Sequence, residues 1–281
     1  MASMRDIKAR ISNIQSTEQI IRAMDTIASS KLIKARAQLD GVRPIFESMQ
    51  KQIIELGEDP HVREHAYYQK RDVKSSLYIV MTSDQGFAGA YNSNVVRAAM
   101  DHIEDGNKNE KILTVGYKGH EYFRSRRKQI IRNVTDFADS QVYYVSEELS
   151  KWATELYMSG EVDEVFIVYT YFENIMSYIP HVEKMLPLTP TIVATPSKTE
   201  WIHDPDLHTI LDHGIPLHLH MTFFRAFAES HTSEQAARMI NMDTAGKNAN
   251  DLIEELTKEY NRERQAAITQ ELSEIVGGQN Q

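Results

Sequence analysis

The chain has 281 residues, a formal net charge of −9 and 41% hydrophobic residues, which allows about two soluble domains and argues against a general nucleic-acid binder. It contains no cysteine, so disulfides, thiolate nucleophiles and Cys-based metal sites are excluded. No apolar run approaches the roughly 18 residues of a membrane-spanning helix, and the opening Met-Ala-Ser-Met-Arg-Asp-Ile-Lys lacks the apolar core of a secretory signal; a cytosolic setting is expected and the sequon Asn133-Val134-Thr135 is read as chance.

The first predicted element is a long helix. Apolar residues recur from Met4, Ile7, Ile11 and Ile14 through Met24, Leu32, Ala35 and Leu39 to Ile53 and Leu56, mostly three or four apart, the spacing of one helical face. Ser3 is placed to cap its start, with Asp6 in the first turn. The step from Ile14 to Ile21 passes over Glu18, so the stripe is expected to be interrupted there. Gly41 and Pro44 predict a kink or a break, because proline removes a backbone donor. Basic residues outnumber acids in this segment, which fits either a solvated helix face or a basic strip facing an acidic protein partner.

The middle of the chain alternates strand and helix signals. Strands are expected at 77–81, 111–115, 129–132 and 164–172, and helices from Asn92 or Ser93 to Ile103, over 118–127 and over 142–158. A partner strand at 178–188 carries Pro180 and Pro187, which suits a sheet edge. This alternation predicts an open, mainly parallel, Rossmann-like α/β domain. The loop Thr82–Tyr91 follows the first strand and precedes a helix, a place where phosphate can be cradled. Gly86-x-x-Gly89 is neither of the glycine-rich nucleotide motifs and no Lys-Ser/Thr pair follows it, so a tight strand-to-helix turn is the alternative reading.

The last element is a second long helix. It is expected to begin near Pro216, a residue suited to a first helical position, and to end at Gly277-Gly278. Its stripe runs from Leu217 and Met221 through Ala249, Ile253 and Leu256 to Leu272 and Ile275, with Thr232, Ser233 and Gly246 as points of interruption. Five histidines lie between His203 and His220. His218 and His220 would point about 200° apart on a helix, which disfavours a metal site there and leaves the base region as the expected place of this stretch, with some of its imidazoles solvated.

Two such helices at opposite ends of the chain are most economically wound as an antiparallel left-handed coiled coil with the α/β domain at its base; a compact helical bundle is the alternative. The expected division is residues 1–60 and 210–281 for the coiled-coil helices and 75–195 for the base domain.

Three blocks carry a family resemblance. Ile20-Ile21-Arg22-Ala23-Met24 with Ala28-Ser29-Ser30-Lys31-Leu32 is the first, and Thr82 to Asn94 is the second. The third runs from Ser233-Glu234-Gln235-Ala236-Ala237-Arg238-Met239 to Ile268-Thr269-Gln270-Glu271-Leu272 and Glu274-Ile275-Val276. In order and spacing they resemble the gamma subunit of F-type ATP synthase, the central rotor stalk of the F1 sector. The second block departs from the family pattern, with Gln85 for Arg, Phe87 for Leu, Ala88 for Cys and Ala90 for Gly. A role resting on the family's Arg or Cys is therefore not transferred, and the Cys-bearing insert of the chloroplast version is absent.

The resemblance implies a shaft inside a ring of three alpha and three beta subunits, with a base that meets epsilon and the c-subunit ring. It implies a peripheral position at the cytoplasmic face of a bacterial plasma membrane, reached only through the complex, with no catalytic residue, cofactor or metal of the chain's own. Carried over by position, Arg264 and Gln265 are expected to catch a loop of one beta subunit. Arg238, Thr269 and Glu271 are expected to support that contact, with Met24 packing nearby. Lys31, Lys34 and Arg36 are expected to meet an acidic loop on beta, and Ile275 and Val276 to form a low-friction tip. Two rival classes are an α/β enzyme with helical extensions, for which no nucleophile, metal cluster or paired acids are spaced suitably, and a structural coiled-coil scaffold without a motor role.

Overall fold

In the computed structural model the described residues are 4–57, 59–69, 71–106, 109–189 and 206–278, leaving aside the side chains of 271 and 274–278. The two long helices are present as α1 (Met4–Leu56) and the last helix (Leu207–Gly278). Between them lie α2 (Pro60–Arg63), β1 (Ser75–Met81), α3 (Tyr91–Gly106), β2 (Asn109–Val115), α4 (Tyr117–Ser125), β3 (Ile130–Val134), α5 (Val142–Met158), β4 (Glu164–Asn174) and β5 (Ser177–Leu186), which makes the last helix α6. The chain divides into two compact units, one of Met1–Ser30 with Arg238–Gln281 and one of Lys31–Ala237.

In the first unit the covered positions of α1 are 7, 11, 14, 18, 21, 25 and 28, with 24 and 29 partly covered beside them. Along the main stripe the steps alternate between four and three, the heptad spacing of a left-handed coiled coil. Glu18 is thus on the seam, only 8% exposed, and ion-paired with Arg22 one turn on. The stripe is not interrupted there; a carboxylate occupies one of its positions because its neighbour on the same helix neutralises it. The facing segment of α6 covers positions 242, 246, 249, 253, 256, 260, 263 and 267 in the same spacing, with 245 and 259 partly covered on its flank. Gly246 faces Ile21, whose Cγ2 lies 3.7 Å from where a Cβ would sit, so the glycine serves as a seam residue rather than a breaker.

The second unit continues the alternation along α1 at Leu32, Ala35, Leu39, Val42 and Phe46, all buried. Pro44 stands on the solvent side and the helix runs through it unbroken. The missing donor leaves the Asp40 carbonyl on an exposed face, where water replaces the bond. Val42 and Phe46 pack on Met221 and Phe224 of α6, and Arg43 meets Glu229 while Phe46 stacks on His218. Ascending numbers on α1 pair with descending numbers on α6, so the helices are antiparallel here. The start of α6 lies nine residues before Pro216. Asp206 sets it, accepting from the Thr209 backbone at 3.1 Å and from its hydroxyl at 2.8 Å, an N-cap that outweighs proline's preference for the first turn.

The sheet order is β3-β2-β1-β4-β5, parallel except for the antiparallel β4–β5 pair, and β5 is the edge strand. Alternate residues face two helical layers. Leu77, Ile79, Met81, Val165 and Ile167 meet α5 and residues 211–227 of α6, whereas Tyr78, Val80, Ile112 and Val168 meet α3 and Phe123 of α4. The first third of α6 is therefore part of the α/β core.

Candidate partner surface and the attachment of the helices to the sheet

The residues expected to contact a partner have different surroundings. In the first unit Arg264, Gln265 and Thr269 are exposed, and the Thr269 hydroxyl donates to the Gln265 carbonyl at 2.9 Å, so the threonine lies one turn beyond the glutamine. Met24 is half-buried, while Arg238 is 6% exposed. In the second unit Lys31, Lys34 and Arg36 are exposed, and Arg36 is 3.9 Å from Asp40. Glu271, Ile275 and Val276 have side chains outside the described residues.

The sequence reading missed several exposed apolar residues on the helices of the first unit. Ile20 and Ile27, seven residues apart, are 61% and 58% exposed, and Ile268 and Leu272 are 45% and 58% exposed. The unit's heptad seams are already filled by other residues, so this outward surface is left over after the helices have paired. Large apolar side chains left uncovered along a paired helix are candidates for cover by a partner. The signal was present in the sequence as apolar residues off the heptad positions.

The loop after β1 directs its polar groups inward. Ser83 N–H donates to Asn92 Oδ1 at 2.9 Å, the Ser83 hydroxyl donates to the Gln85 carbonyl at 2.6 Å, and Asp84 accepts from Tyr117 N–H at 2.9 Å. In an open α/β sheet, ligands occupy the crevice where strand order reverses, here between the C-terminal ends of β1 and β4. Residues of α6 fill the β4 side of it. Ser230 Oγ accepts from Thr170 N–H at 3.2 Å and Glu229 from Phe172 N–H at 2.8 Å, while Tyr91 donates to the Ser230 carbonyl at 3.1 Å. The loop acts as a tight turn, and Gly89 takes a positive φ of 55° as glycine readily does.

Glu229 also binds Arg43 in bidentate fashion, with Nε and one terminal nitrogen each 2.8 Å from a carboxylate oxygen. Arg43 donates to the Phe172 carbonyl and its guanidinium lies 5.0 Å from the Tyr171 ring centroid. The hydrogen bond to Glu229, foremost, raises the Arg43 pKa, against an opposing desolvation. One turn earlier on α6, buried Arg225 bonds Tyr169 at 2.7 Å and pairs with Glu183 at 2.5 Å.

Of the histidines in this stretch, His218 and His220 are core residues. His218 stacks on Phe46, and burial pushes its pKa down to about 4. His220 Nε2 lies 3.1 Å from the Ser146 hydroxyl and 3.2 Å from the Tyr143 carbonyl. Both fall in the part of α6 that packs on α1 and α5, which covers more of the helix than one face. His208 and His213 are exposed, and His203 lies outside the described residues. Among the described residues no group of three His, Asp or Glu could hold a metal, and no helix is long and apolar enough to cross a membrane.

The family described as ATP synthase matches residues 3–280. The chain is similar to the ATP synthase gamma chain of Moorella thermoacetica, 36% identical over 284 residues that cover 99% of this chain and 98% of that protein. It is similar to the sodium-ion-specific ATP synthase gamma chain of Acetobacterium woodii, 36% identical over 295 residues, covering 98% and 97%. Among solved structures, a chain of the Euglena gracilis mitochondrial ATP synthase OSCP/F1/c-ring assembly shares the fold with a TM-score of 0.70 at 19% identity, covering 99% of this chain and 93% of that one.

Proposed function

The chain belongs to the ATP synthase gamma-chain family, and from that premise we propose that its two heptad-patterned helices form the shaft that couples ion-driven rotation to ATP synthesis or hydrolysis. It is a subunit of a membrane-associated complex rather than an enzyme by itself. Its partners in this reading are the alpha and beta subunits as a three-plus-three ring, epsilon and the c-subunit ring. It sits at the cytoplasmic face of the bacterial plasma membrane. The helical segments 1–60 and 210–281 serve as shaft and the segment 75–195 as base.

One lopsided rod inside a ring of chemically identical beta subunits touches each of them differently. Each is biased toward a different conformation, and rotation exchanges the biases. Only a difference in contact free energy between states can do this. In this reading Arg264 and Gln265 hold a beta-subunit loop by charge-assisted and neutral hydrogen bonds. Arg238, Thr269, Glu271 and Met24 support them, Lys31, Lys34 and Arg36 meet acidic groups, and Ile275 and Val276 form the tip.

The observation that carries this reading is the outward surface of the first unit. Its helices have already paired, yet Ile20 and Ile27 on α1 and Ile268 and Leu272 on α6 remain exposed, the last two within about two turns of the exposed Arg264 and Gln265. A sheath of partner subunits accounts for such a surface, and a free-standing enzyme does not. Co-expression with the alpha and beta subunits tests it. A purified complex of three alpha, three beta and one copy of this chain, with ATPase activity, is the expected result. Failure to copurify, or ATP binding by the isolated chain, would overturn the reading.

A further inference from the structure

We infer that the Arg43–Glu229 pair is the torsional tie that makes the α/β domain and both long helices turn as one body, a positioning role that rests on the rotor reading above. A shaft under load must pass torque between its base and its helices. Apolar packing holds surfaces together without fixing direction, whereas a bidentate charge pair fixes both direction and register.

The pair sits where three elements meet. Glu229 comes from α6, and its side chain is 1% exposed. It accepts three N–H groups, two from Arg43 of α1 and one from the Phe172 backbone of β4. Arg43 returns a hydrogen bond to the carbonyl of the same Phe172. One strand residue is thus gripped through both backbone groups by side chains from the two helices. The neighbouring hydrogen bonds from α6 to the sheet do not involve α1, although the Arg225 guanidinium also lies 4.1 Å from the Phe46 ring centroid of α1. Arg225 bonds Tyr169 and Glu183, Ser230 meets Thr170 N–H, and Ser233 donates to the Thr170 carbonyl at 3.3 Å. Val42 and Phe46 hold α1 against α6 by apolar and ring contacts, and Arg43 adds a directional charge pair where α6 is bonded to the strand.

A buried ion pair is often no more stabilising than apolar groups of the same volume, and this separates a tie from a prop. The test uses whole ATP synthase in sealed vesicles, carrying either the unaltered chain or the double variant Arg43→Met, Glu229→Gln. The glutamine keeps an acceptor for Phe172 N–H while the directional link to α1 is lost. ATP hydrolysis is measured together with ATP-driven uptake of protons and of sodium ions. The expected result is an unchanged melting temperature and unchanged hydrolysis, with ions moved per ATP falling by about fivefold, the lower end of coupling between distant sites. Arg43→Lys, which keeps the charge without the fork, should fall between the two. Equal ion movement per ATP by the double variant would overturn the tie. If the double variant melts early, Arg43→Lys decides, and full coupling in that variant would likewise overturn it. Failure of the unaltered chain to assemble or to support uptake would instead overturn the rotor reading itself.

Discussion

A single helix, α6, has two kinds of surroundings. From Leu219 to Arg238 almost every residue is covered, polar ones included: Thr222, Arg225, Glu229, Ser230, Thr232, Ser233 and Gln235 are all buried. From residue 243 onward cover narrows to a stripe of one or two positions per turn. Backbone and length are continuous, so the difference comes from what lies opposite. The first stretch is enclosed by α1, α5 and the sheet, and its polar groups bond strand backbone, ion partners or carbonyls of the helix itself. The second keeps a narrow seam and presents the rest outward. A substitution in the first stretch should therefore be a folding event, and one on the outer face of the second a binding event.

The largest effect that could break this contrast is Glu229→Ala. It strands Arg43 and the Phe172 N–H in a buried site, and should cost about 3–5 kcal/mol in denaturant unfolding of the chain. Lys247→Ala, which removes an exposed pair with Asp243, should leave the unfolding midpoint unmoved. Similar losses from the two would erase the distinction between the stretches.

Next in size is a pH effect confined to the enclosed stretch. Burial lowers the His218 pKa from 6.5 to about 4, with Glu183 opposing and Arg225 assisting. Between those values the unfolded chain takes up a proton at this imidazole that the folded chain refuses. Stability therefore falls as the pH drops from 6.5 towards 4 and levels off below, a loss of about 3 kcal/mol from this group. His218→Phe should flatten that part of the stability curve. A slope unchanged in this variant would show that another group titrates.

On the seam of the second stretch, Leu256→Ala should cost about 2 kcal/mol, the low end for a buried leucine, because a two-helix seam can close around the gap. Glu18→Leu should stabilise the same seam by about 1 kcal/mol, since a carboxylate there is held only by its neighbour. Thermal melts of the two variants, measured side by side, check both signs. Smallest in stability is Gln265→Ala, expected within about 0.5 kcal/mol of the unaltered chain because the residue is exposed, yet with lowered coupled turnover in the assembled complex. Equal loss of stability and turnover would make this outer face structural.

Much of the architecture was legible in the residues. The heptad stripe is local and repetitive, so a period of 3.5 survives any uncertainty about single positions. Each predicted strand and helix of the α/β domain appears within a few residues of its expected bounds, because β-branched and aromatic runs bounded by turn residues leave little choice. The misreadings share a cause. Glu18 looked like a gap because a charged residue is rarely buried, and the Arg22 partner that makes it tolerable is a matter of rotamer. Pro44 looked like a break because its exposure was unknown. Pro216 looked like a start because the cap at Asp206 lies outside the apolar stripe. The outward isoleucines were visible as letters, but not as surface until the seam positions were assigned.

Sequence by itself determined the two long helices, their antiparallel tendency, the order of the central elements and the family resemblance. All of these rest on spacings within a few turns or on blocks read in order. Only the tertiary structure decided where along α6 enclosure gives way to a seam, which histidines are core, and that Arg43 and Glu229, 186 residues apart, meet over one strand residue. Periodicity says which face of a helix is apolar; what lands against that face depends on the packing of distant segments, which no local spacing encodes.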